Sequence, residues 1–517
     1  MSSDLDPRPE PLPQRVWESI QRDSLPPTDD RERMKLVMNN LVLHLHPAKV
    51  AKPTLRFTYT WGLGGLALLL IMLLAGTGVL LMFAYTPSPD QAYSDMLTLQ
   101  SQVWFGQLIR NVHHWSGNLL LIVTFLHLLR VFFTGGFRTP REFNWVLGVA
   151  MLLLVVAENF TGYLLPWDQL AYWAVTVGSS LLSYLPLIGE PLRNFLLGGP
   201  EVSGATLTNF YGLHVAILPL TLIGIVSFHI WRVRKDTLTI PHNVDGTLPE
   251  PNVKVTTLPH LVSIEFVFAL VMTGLILMWS VWVNAPLEGA ANPDHSPNPA
   301  KAAWYFMGLQ ELLLHFHPTF GAIVIPALAL VALALIPYQR FDLSAEGIWF
   351  RSRRGRVMAV VAAVLALILT PALVLLDEYW LDLPALLPSL PTIISNGWVP
   401  LAALLLGLVA IYELLRRAVP RHRVRDAPES LCPAGGGLHG VDGDRRRLPR
   451  RRHGPDVAVG GAADECGYVA SQFSQADLGR PRRGRGGRSR RRRPTCFLSP
   501  RTIGGRIRRR LHCRCGG

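Results

Sequence analysis

Cysteine is absent from the apolar part of this 517-residue chain. The five cysteines all lie beyond residue 421, and they are Cys432, Cys466, Cys496, Cys513 and Cys515. The long hydrophobic region before them therefore contains no thiol, which excludes disulfide bonds and thiolate metal ligands there. A metal or prosthetic group in that region has to be held by other side chains.

Charged residues are also scarce, at 17% of the chain against 49% hydrophobic residues. Apolar runs long enough to cross a bilayer recur between residues 61 and 414. They predict eight membrane spans, at residues 61–84, 112–133, 145–165, 209–231, 262–284, 319–337, 357–376 and 396–415. Because lipid offers the backbone no hydrogen-bond partners, such spans must be helical, and the sequence predicts an all-α membrane protein.

The loops between these spans carry charges of opposite sign at the two ends of the bundle. Basic residues such as Arg138, Arg232 and Arg353 fall at one end of an eight-span arrangement. Acidic residues such as Asp90 and Glu288 fall at the other end. Because basic loops stay on the cytoplasmic side, both termini are predicted to be cytoplasmic, in a bacterial cytoplasmic membrane.

The net charge of +14 comes largely from the last hundred residues. Residues 421–517 are rich in arginine and glycine and have no hydrophobic periodicity, so they cannot bury a core. This segment is predicted to be a disordered basic tail or the product of a reading-frame shift. Since the excess positive charge lies there, no nucleic-acid partner is predicted.

Two pairs of histidines lie inside apolar runs. His113 and His127 are 14 residues apart in the second predicted span, and His214 and His229 are 15 apart in the fourth. At roughly 100° and 1.5 Å per residue, each pair returns to one helix face at two depths about 21–22 Å apart. Two such helices facing each other would supply two bis-imidazole sites, which predicts two stacked haems. Without a Cys-x-x-Cys-His motif, these would be non-covalent b-type haems.

Glycines repeat the same interval. Gly64 and Gly78 are 14 residues apart in the first span, and Gly148 and Gly162 are 14 apart in the third. The missing side chains at two levels would admit the porphyrin edges. The alternative is that these glycines only allow membrane helices to pack closely.

Two arginines flank the first histidine pair, Arg110 before His113 and Arg130 after His127. A buried guanidinium finds a partner in a carboxylate, so both are predicted to bind haem propionates. The alternative is that their side chains extend to the membrane interface.

Longer motifs surround these residues. They are LIRNVHHWSG at 108–117, TGYLLPWDQLAYW at 161–173 and FYGLH at 210–214. They resemble the second helix, the quinol-site signature and the fourth helix of cytochrome b from the quinol-oxidising cytochrome bc complexes. The resemblance extends well over residues 35–340, loosely over the next two spans, and not over the tail.

This resemblance implies a four-helix di-haem bundle built from the first four spans. It implies that His113 with His214 ligates a low-potential haem on the positive side, with His114 as the adjacent alternative to His113. It also implies that His127 with His229 ligates a high-potential haem on the cytoplasmic side. Gly62 stands near the position where plastid-type relatives attach an extra haem through cysteine, so two haems and no third are expected.

The domain organisation follows from the same resemblance. Residues 1–55 form a cytoplasmic N-terminal segment, residues 56–240 the di-haem domain, and residues 250–420 the C-terminal domain. The chain is expected to act in an oxidoreductase, as the cytochrome b subunit that transfers electrons across the membrane between two quinone sites with proton translocation. Expected partners are quinone, lipid, a Rieske-type iron–sulfur protein, a cytochrome c-type subunit or equivalent acceptor, and a second copy in a homodimeric complex.

The positive-side quinol site is predicted at two segments. Its residues are Pro166, Trp167, Trp304 and Tyr305. The last two align with the end of the family's Pro-Glu-Trp-Tyr motif, although either could instead be an interfacial aromatic residue.

The chain departs from that motif, because Ala302 and Ala303 replace its proline and glutamate. The carboxylate often assigned as proton acceptor is therefore missing. Glu311 is the predicted replacement, with Asp168 and His315 as alternatives; Glu311 could also be a plain interfacial carboxylate.

On the cytoplasmic side, Glu265 aligns with an acidic residue that the family uses in quinone reduction.

Two other classes of protein remain open. One is a b-haem membrane anchor that relays electrons for a dehydrogenase, and the other is a haem-free transporter or scaffold, in which the histidines would relay protons or pack.

Overall fold

The structure is a computed structural model and describes residues 29–40, 43–243, 245–297, 301–339 and 346–418. The predicted tail at 421–517, with all five cysteines, lies outside the described residues. So do residues 1–28, which include the whole first half of the predicted N-terminal segment.

The described chain is predominantly helical. Its helices are α1 Asp30–Asn39, α2 Phe57–Thr60, α3 Leu63–Met82, α4 Ala92–Ser101, α5 Gly106–Phe133, α6 Glu142–Leu164, α7 Gln169–Ser180, α8 Gly189–Leu197, α9 Gly204–Gly212, α10 Leu218–Asp236, α11 Thr257–Trp282, α12 Met307–His315, α13 Ile325–Leu335, α14 Arg353–Tyr379, α15 Leu383–Leu386 and α16 Val399–Ala418. Short 3₁₀ turns lie at Leu43–Leu45, Lys52–Leu55, Leu181–Tyr184, Trp304–Phe306 and Ile336–Tyr338.

Eight helical segments of the described chain are long and apolar enough to cross a membrane. They are Leu63–Met82, Gly106–Phe133, Glu142–Leu164, Gly204–Asp236, Thr257–Trp282, Phe320–Tyr338, Arg353–Tyr379 and Ile394–Arg417. Each corresponds to one predicted span, so the prediction of an all-α membrane protein with about eight spans is confirmed. The protein is an integral membrane protein, and many leucines on its outer surface are exposed, as a lipid-facing surface requires.

Three spans contain a widened π turn, at Leu213–Ile217, Phe320–Val324 and Ile394–Trp398. Each is followed within two residues by a proline, namely Pro219, Pro326 and Pro400. Proline has no backbone N–H and its ring crowds the carbonyl four residues earlier, so the regular bond pattern cannot continue there. The π turn in the fourth span joins α9 to α10 and contains His214.

The first four spans form a bundle. α3 packs along α5, and α6 contacts both α5 and α10. Their shared core contains Leu70 of α3, Leu120 of α5, Val155 of α6 and Leu222 of α10, all buried. α11 packs against α5 and contributes Ile276 to the same core, so the fifth span is fastened to the bundle.

A two-stranded antiparallel sheet is an addition to the predicted helical fold. β1 (Lys49–Ala51) pairs with β2 (Lys254–Thr256), with Val50 opposite Val255. β1 precedes the first span and β2 precedes α11. The sheet therefore joins the segment before the first span to the segment before the fifth span, at one end of the bundle.

Alternate loops along the chain contact one another, as spans that cross in alternating directions allow. At the basic end, Arg141 forms an ion pair with Glu346 and also donates to the backbone carbonyl of Asp236. At the other end, the backbone N–H of Gln169 donates to the carbonyl of Gly289 over 2.8 Å. Loops that the topology places on the same side are thus in contact.

Candidate functional site

His113 of α5 and His214 of the π turn face each other inside the bundle. Their ring centroids are 6.2 Å apart and the rings cross at 77°. A metal held about 2 Å from one nitrogen of each ring, on opposite sides, places the two centroids about 6 Å apart. The pair is therefore spaced to supply two axial nitrogens to one metal, with four further ligands from a planar macrocycle.

Hydrogen bonds hold the other nitrogen of each ring. The Nδ1 atom of His113 lies 2.9 Å from the Thr77 hydroxyl. The Nδ1 atom of His214 lies 3.2 Å from the Thr161 hydroxyl and 3.2 Å from Oε2 of Glu158. Contacts of this kind fix the ring orientation and the tautomer of a metal ligand, and they leave Nε2 free for the metal.

Three of the four predicted glycines lie against histidine rings. A Cβ atom on Gly162 would come within 2.6 Å of the His214 ring, and one on Gly78 within 3.2 Å of the His113 ring. A Cβ atom on Gly64 would lie 3.4 Å from the His127 ring, whereas one on Gly148 would meet no heavy atom within 4 Å. The first and third spans thus make space for imidazoles.

The second histidine pair lies in a less polar setting. His127 and His229 are close enough to interact electrostatically. The Nδ1 atoms of both rings are buried and have no well-formed hydrogen bond among the described residues, although His229 approaches the backbone of Asn144. This pair lacks the polar partners of the first pair, and its role as axial ligands stays a prediction.

The two predicted propionate-binding arginines are both buried but differ in their partners. Arg110 donates to the carbonyls of Ala285 (2.8 Å) and Pro286 (2.6 Å). Arg130 donates from Nε to the Tyr59 carbonyl over 3.1 Å, and its Nη2 atom has no partner among the described residues. A buried guanidinium edge without an acceptor fits an anionic carboxylate such as a haem propionate.

A large apolar cavity lies beside the His113 and His214 pair. Its volume is about 1210 Å³, more than the roughly 300–1,000 Å³ of a typical ligand pocket. Lining residues include both histidines, Glu158, Tyr163, Pro166 and Tyr305. The cavity has room for a flat aromatic ligand next to the histidine pair.

Several polar groups face this cavity. The Tyr305 hydroxyl is buried without a hydrogen-bond partner among the described residues. Burial raises the pKa of Tyr305, so its hydroxyl stays protonated and can donate. Trp304 also lines the cavity, but its indole N–H already donates to Asn118 Oδ1 over 2.6 Å.

Two other predicted quinol-site residues lie away from the cavity lining. Trp167 has a left-handed backbone (φ 51°) and is buried in an apolar cluster with Ala92 and Leu207. Glu311 projects from α12 with 56% of its side chain exposed, and its nearest partner is His315 at 3.5 Å. The helix turns Glu311 outward, so this placement does not support its predicted role as proton acceptor.

The two alternatives to Glu311 have structural partners. Oδ1 of Asp168 accepts the backbone N–H of Ala171 over 2.8 Å at the start of α7, and Oδ2 accepts that of Glu288 over 3.0 Å. Asp168 does line the cavity. His315 pairs with Asp377 at 2.7 Å and does not line it.

Glu265, the predicted cytoplasmic-side residue, pairs with a residue that the motifs did not indicate. Its Oε2 lies 2.8 Å from Nε2 of His46, which precedes β1. The hydrogen bond from Glu265 raises the pKa of His46 above its ordinary value. The N-terminal segment is thereby attached to α11.

Sequence reasoning missed the residues that contact the histidines from the neighbouring helices. Thr77 and Thr161 immediately precede Gly78 and Gly162, so the helices that contact His113 and His214 each present a Thr-Gly pair. Glu158 is an acidic residue inside an apolar span, which is a signal of function that could have been read from the sequence.

These features define a polytopic helical membrane protein whose four-helix bundle carries paired imidazoles at two depths. A family profile described as "Cytochrome b/b6/petB" matches residues 49–237. Cytochrome b6 of Heliobacterium modesticaldum is 43% identical over 196 residues, which is 38% of this chain and 90% of that protein. Cytochrome b6 of Prochlorococcus marinus (strain MIT 9215) is 42% identical over 179 residues, 35% of this chain and 82% of that protein.

The chain belongs to the cytochrome b family. Membership makes it a haem-binding membrane protein of electron transport, with b-type haem as its cofactor. A solved structure titled "Hyperthermophilic respiratory Complex III" matches with a TM-score of 0.56 and 24% identity, over 75% of this chain and 95% of that chain. At this identity the match supports the fold.

Proposed function

We propose that this protein is the di-haem cytochrome b subunit of a quinol-oxidising cytochrome bc complex. In this role it transfers electrons across the membrane between two quinone sites, coupled to proton translocation. The observation that carries the proposal is the facing pair of His113 and His214, with Gly78 and Gly162 clearing space beside their rings and a large apolar cavity alongside.

The four histidines would hold two b-type haems, which supply one-electron carriers at two depths of the membrane. His113 with His214 would hold one and His127 with His229 the other, without covalent attachment. The unpartnered Nη2 atom of Arg130 would bind a propionate.

The cavity is lined by His113, His214, Gly78 and Gly162, so the haem would fill that part of it. The remaining part, next to Pro166 and Tyr305, would be the quinol-oxidation site. Pro166 and Tyr163 form part of its wall, and the free hydroxyl of Tyr305 would donate a hydrogen bond to a quinone oxygen. Ala303, which also lines the cavity, stands where the family motif has glutamate. Glu288, in the loop after α11, offers a carboxylate on the cavity lining in its place.

A second site, for quinone reduction, would lie at the opposite end near Glu265 and His46, whose 2.8 Å contact brings a proton donor and an acceptor together. This end is proposed to be cytoplasmic, together with both termini, in a bacterial cytoplasmic membrane. The solved structure with the same fold is titled as a respiratory Complex III. Partners of the proposed complex are a Rieske-type iron–sulfur protein, a cytochrome c-type subunit and a second copy of this chain.

The test is a redox-titrated absorption spectrum of the purified complex, with haem quantified per polypeptide. Two b-type haems with separate potentials, and quinol-dependent reduction of both, are the expected result. Haem without quinol oxidation at the cavity would indicate a membrane anchor for a dehydrogenase. Absence of haem would indicate a transporter or scaffold and overturn the proposal.

A further inference from the structure

Glu158 is a carboxylate inside a membrane span. It lies on α6, one helical turn before Gly162, and only 15% of its side chain is exposed. A carboxylate at such a depth is costly unless a specific partner compensates for the lost hydration. Its presence in an otherwise apolar helix therefore calls for a partner.

That partner is His214. Oε2 of Glu158 lies 3.2 Å from the Nδ1 atom of His214, and the His214 side chain is 18% exposed. The Thr161 hydroxyl lies at the same distance from Nδ1, and it also has the Ala157 carbonyl at 2.9 Å to which it can donate. Both oxygens can accept the Nδ1–H, and a carboxylate is the stronger acceptor because it is charged.

This contact distinguishes His214 from the other three histidines. His113 has neutral partners, the Thr77 hydroxyl at 2.9 Å from its Nδ1 atom and the backbone of Leu74. The Nδ1 atoms of His127 and His229 have neither a hydroxyl nor a carboxylate partner within the described part of the chain. Among the four, only His214 has a charged oxygen at its Nδ1 atom.

We propose that Glu158 is a positioning residue that orients His214 and lowers the reduction potential of the haem held by His113 and His214. A carboxylate that accepts the Nδ1–H increases the electron density on the opposite nitrogen. The stronger donor stabilises the oxidised, more positively charged iron, and the potential falls. The proposal rests on the proposed function, and it assigns the cause of a difference between the two haem levels to one residue of this chain.

The test is a redox titration of the purified complex carrying Glu158→Gln. Glutamine keeps the shape of the side chain and replaces the carboxylate with a neutral amide. The expected result is a tenfold increase in the equilibrium constant for reduction of the haem held by His113 and His214. This equals a rise in its reduction potential of about 59 mV for a one-electron couple. The other haem should keep its potential, and the low-spin EPR signal of the shifted haem should change as well.

Three further variants sharpen the test. Glu158→Asp keeps a carboxylate on a side chain that is one methylene shorter, so the carboxylate lies farther from the Nδ1 atom of His214. The shift in potential should therefore be smaller than in Glu158→Gln. Thr161→Val removes the neutral acceptor and should shift the same haem less than Glu158→Gln does. Glu142→Gln removes a carboxylate from the exposed start of the same helix, where Glu142 contacts Thr139, and should leave the potential of this haem unchanged.

The outcomes separate the inference from the function. Two haems in the unaltered complex with unchanged potentials in Glu158→Gln would overturn the inference and leave the proposed function in place. Loss of quinol oxidation at unchanged potentials would assign Glu158 to the quinol, which also overturns it. Absence of haem in the unaltered complex would overturn the proposed function itself. If Glu158→Gln fails to assemble, Glu158→Ala is measured, which also removes the carboxylate, and an unshifted potential there overturns the inference.

Discussion

The two histidine pairs have nearly the same spacing along the chain but different surroundings. His113 and His214 have polar partners on the neighbouring helices and a large cavity beside them. His127 and His229 have buried Nδ1 atoms without such partners and the unpaired guanidinium edge of Arg130 in the same half of the bundle. The comparison teaches that the spacing of the histidines defines two equivalent positions along the bundle. The residues that contact the Nδ1 atoms of the histidines give these two positions different polarity.

The largest expected effect is the loss of one haem of two. Replacing His214 with leucine removes one axial nitrogen of the first pair, so the purified complex should retain a single b-type haem by pyridine haemochrome assay. His114→Leu is the matched control, because His114 neighbours His113 but its Nε2 contacts Asn118 at 3.3 Å. Loss of haem from the His114 variant and not from His113→Leu would exchange the ligand assignment.

Alanine substitutions at the two glycines of α6 should have different effects. Gly162 lies against an imidazole ring, whereas Gly148 has open space beside it. In Gly162→Ala the new Cβ would lie 2.6 Å from the His214 ring, and such overpacking costs about 1–3 kcal/mol. We expect haem occupancy of one level to fall. Gly148→Ala has no heavy atom within 4 Å of its new Cβ, so equal damage by both variants would mean that Gly148 also contacts a haem.

The cavity proposed as the quinol site is lined by His113 and His214 and not by His127 or His229, and Tyr305 tests that difference. Tyr305→Phe removes the unpartnered hydroxyl, and one hydrogen bond contributes roughly 0.5–1.5 kcal/mol. The kcat/KM for quinol oxidation should fall about two- to tenfold, with both haem potentials unchanged. Tyr412→Phe, at an exposed position of the last span, is the control. An unaltered kcat/KM in the Tyr305 variant would remove this residue from the site.

Two glutamates near the proposed quinol site differ in whether they line the cavity. Glu288 lines the cavity, whereas Glu311 is turned outward beside His315. Glu288→Gln should slow quinol oxidation severalfold, and Glu311→Gln should leave the rate nearly unchanged in a stopped-flow assay. The reverse order would restore the sequence-based assignment of Glu311.

The smallest effect concerns the opposite end, where His46 meets Glu265. The hydrogen bond from Glu265 raises the pKa of His46, so the stabilisation is fully present below the unfolded pKa of about 6.5. It is lost as the pH rises through the raised folded pKa. Hydrogen exchange of residues 43–51 should therefore speed up with rising pH beyond the intrinsic increase. Glu265→Gln should abolish this extra pH dependence; its persistence there would contradict the assignment.

Much of this architecture could be read from the sequence because membrane burial leaves strong patterns. Eight apolar runs predicted the eight spans that the structure has. The 14-residue intervals singled out Gly78 and Gly162, which lie against histidine rings. These features depend only on helix periodicity and on the absence of charge, which are local properties.

The remaining features depend on how one helix is rotated against another. The outward direction of Glu311, the burial of Trp167 and the contact between Glu158 and His214 are set by packing between helices. The strand pair is similar, since Val50 and Val255 lie far apart in the sequence and each strand is only three residues long. Single-chain periodicity contains no information about such rotations.

The π turn at Leu213–Ile217 changes the meaning of the unequal histidine intervals. A π turn contains one more residue than an α turn for the same advance around the axis. The fourth span therefore accommodates 15 residues between its histidines where the second uses 14 in a regular helix. The π turn accommodates the extra residue locally, just before Pro219, and both histidines can still face the same side. In a regular helix an interval of 15 residues would leave the two rings about 60° apart around the axis, against about 40° for an interval of 14.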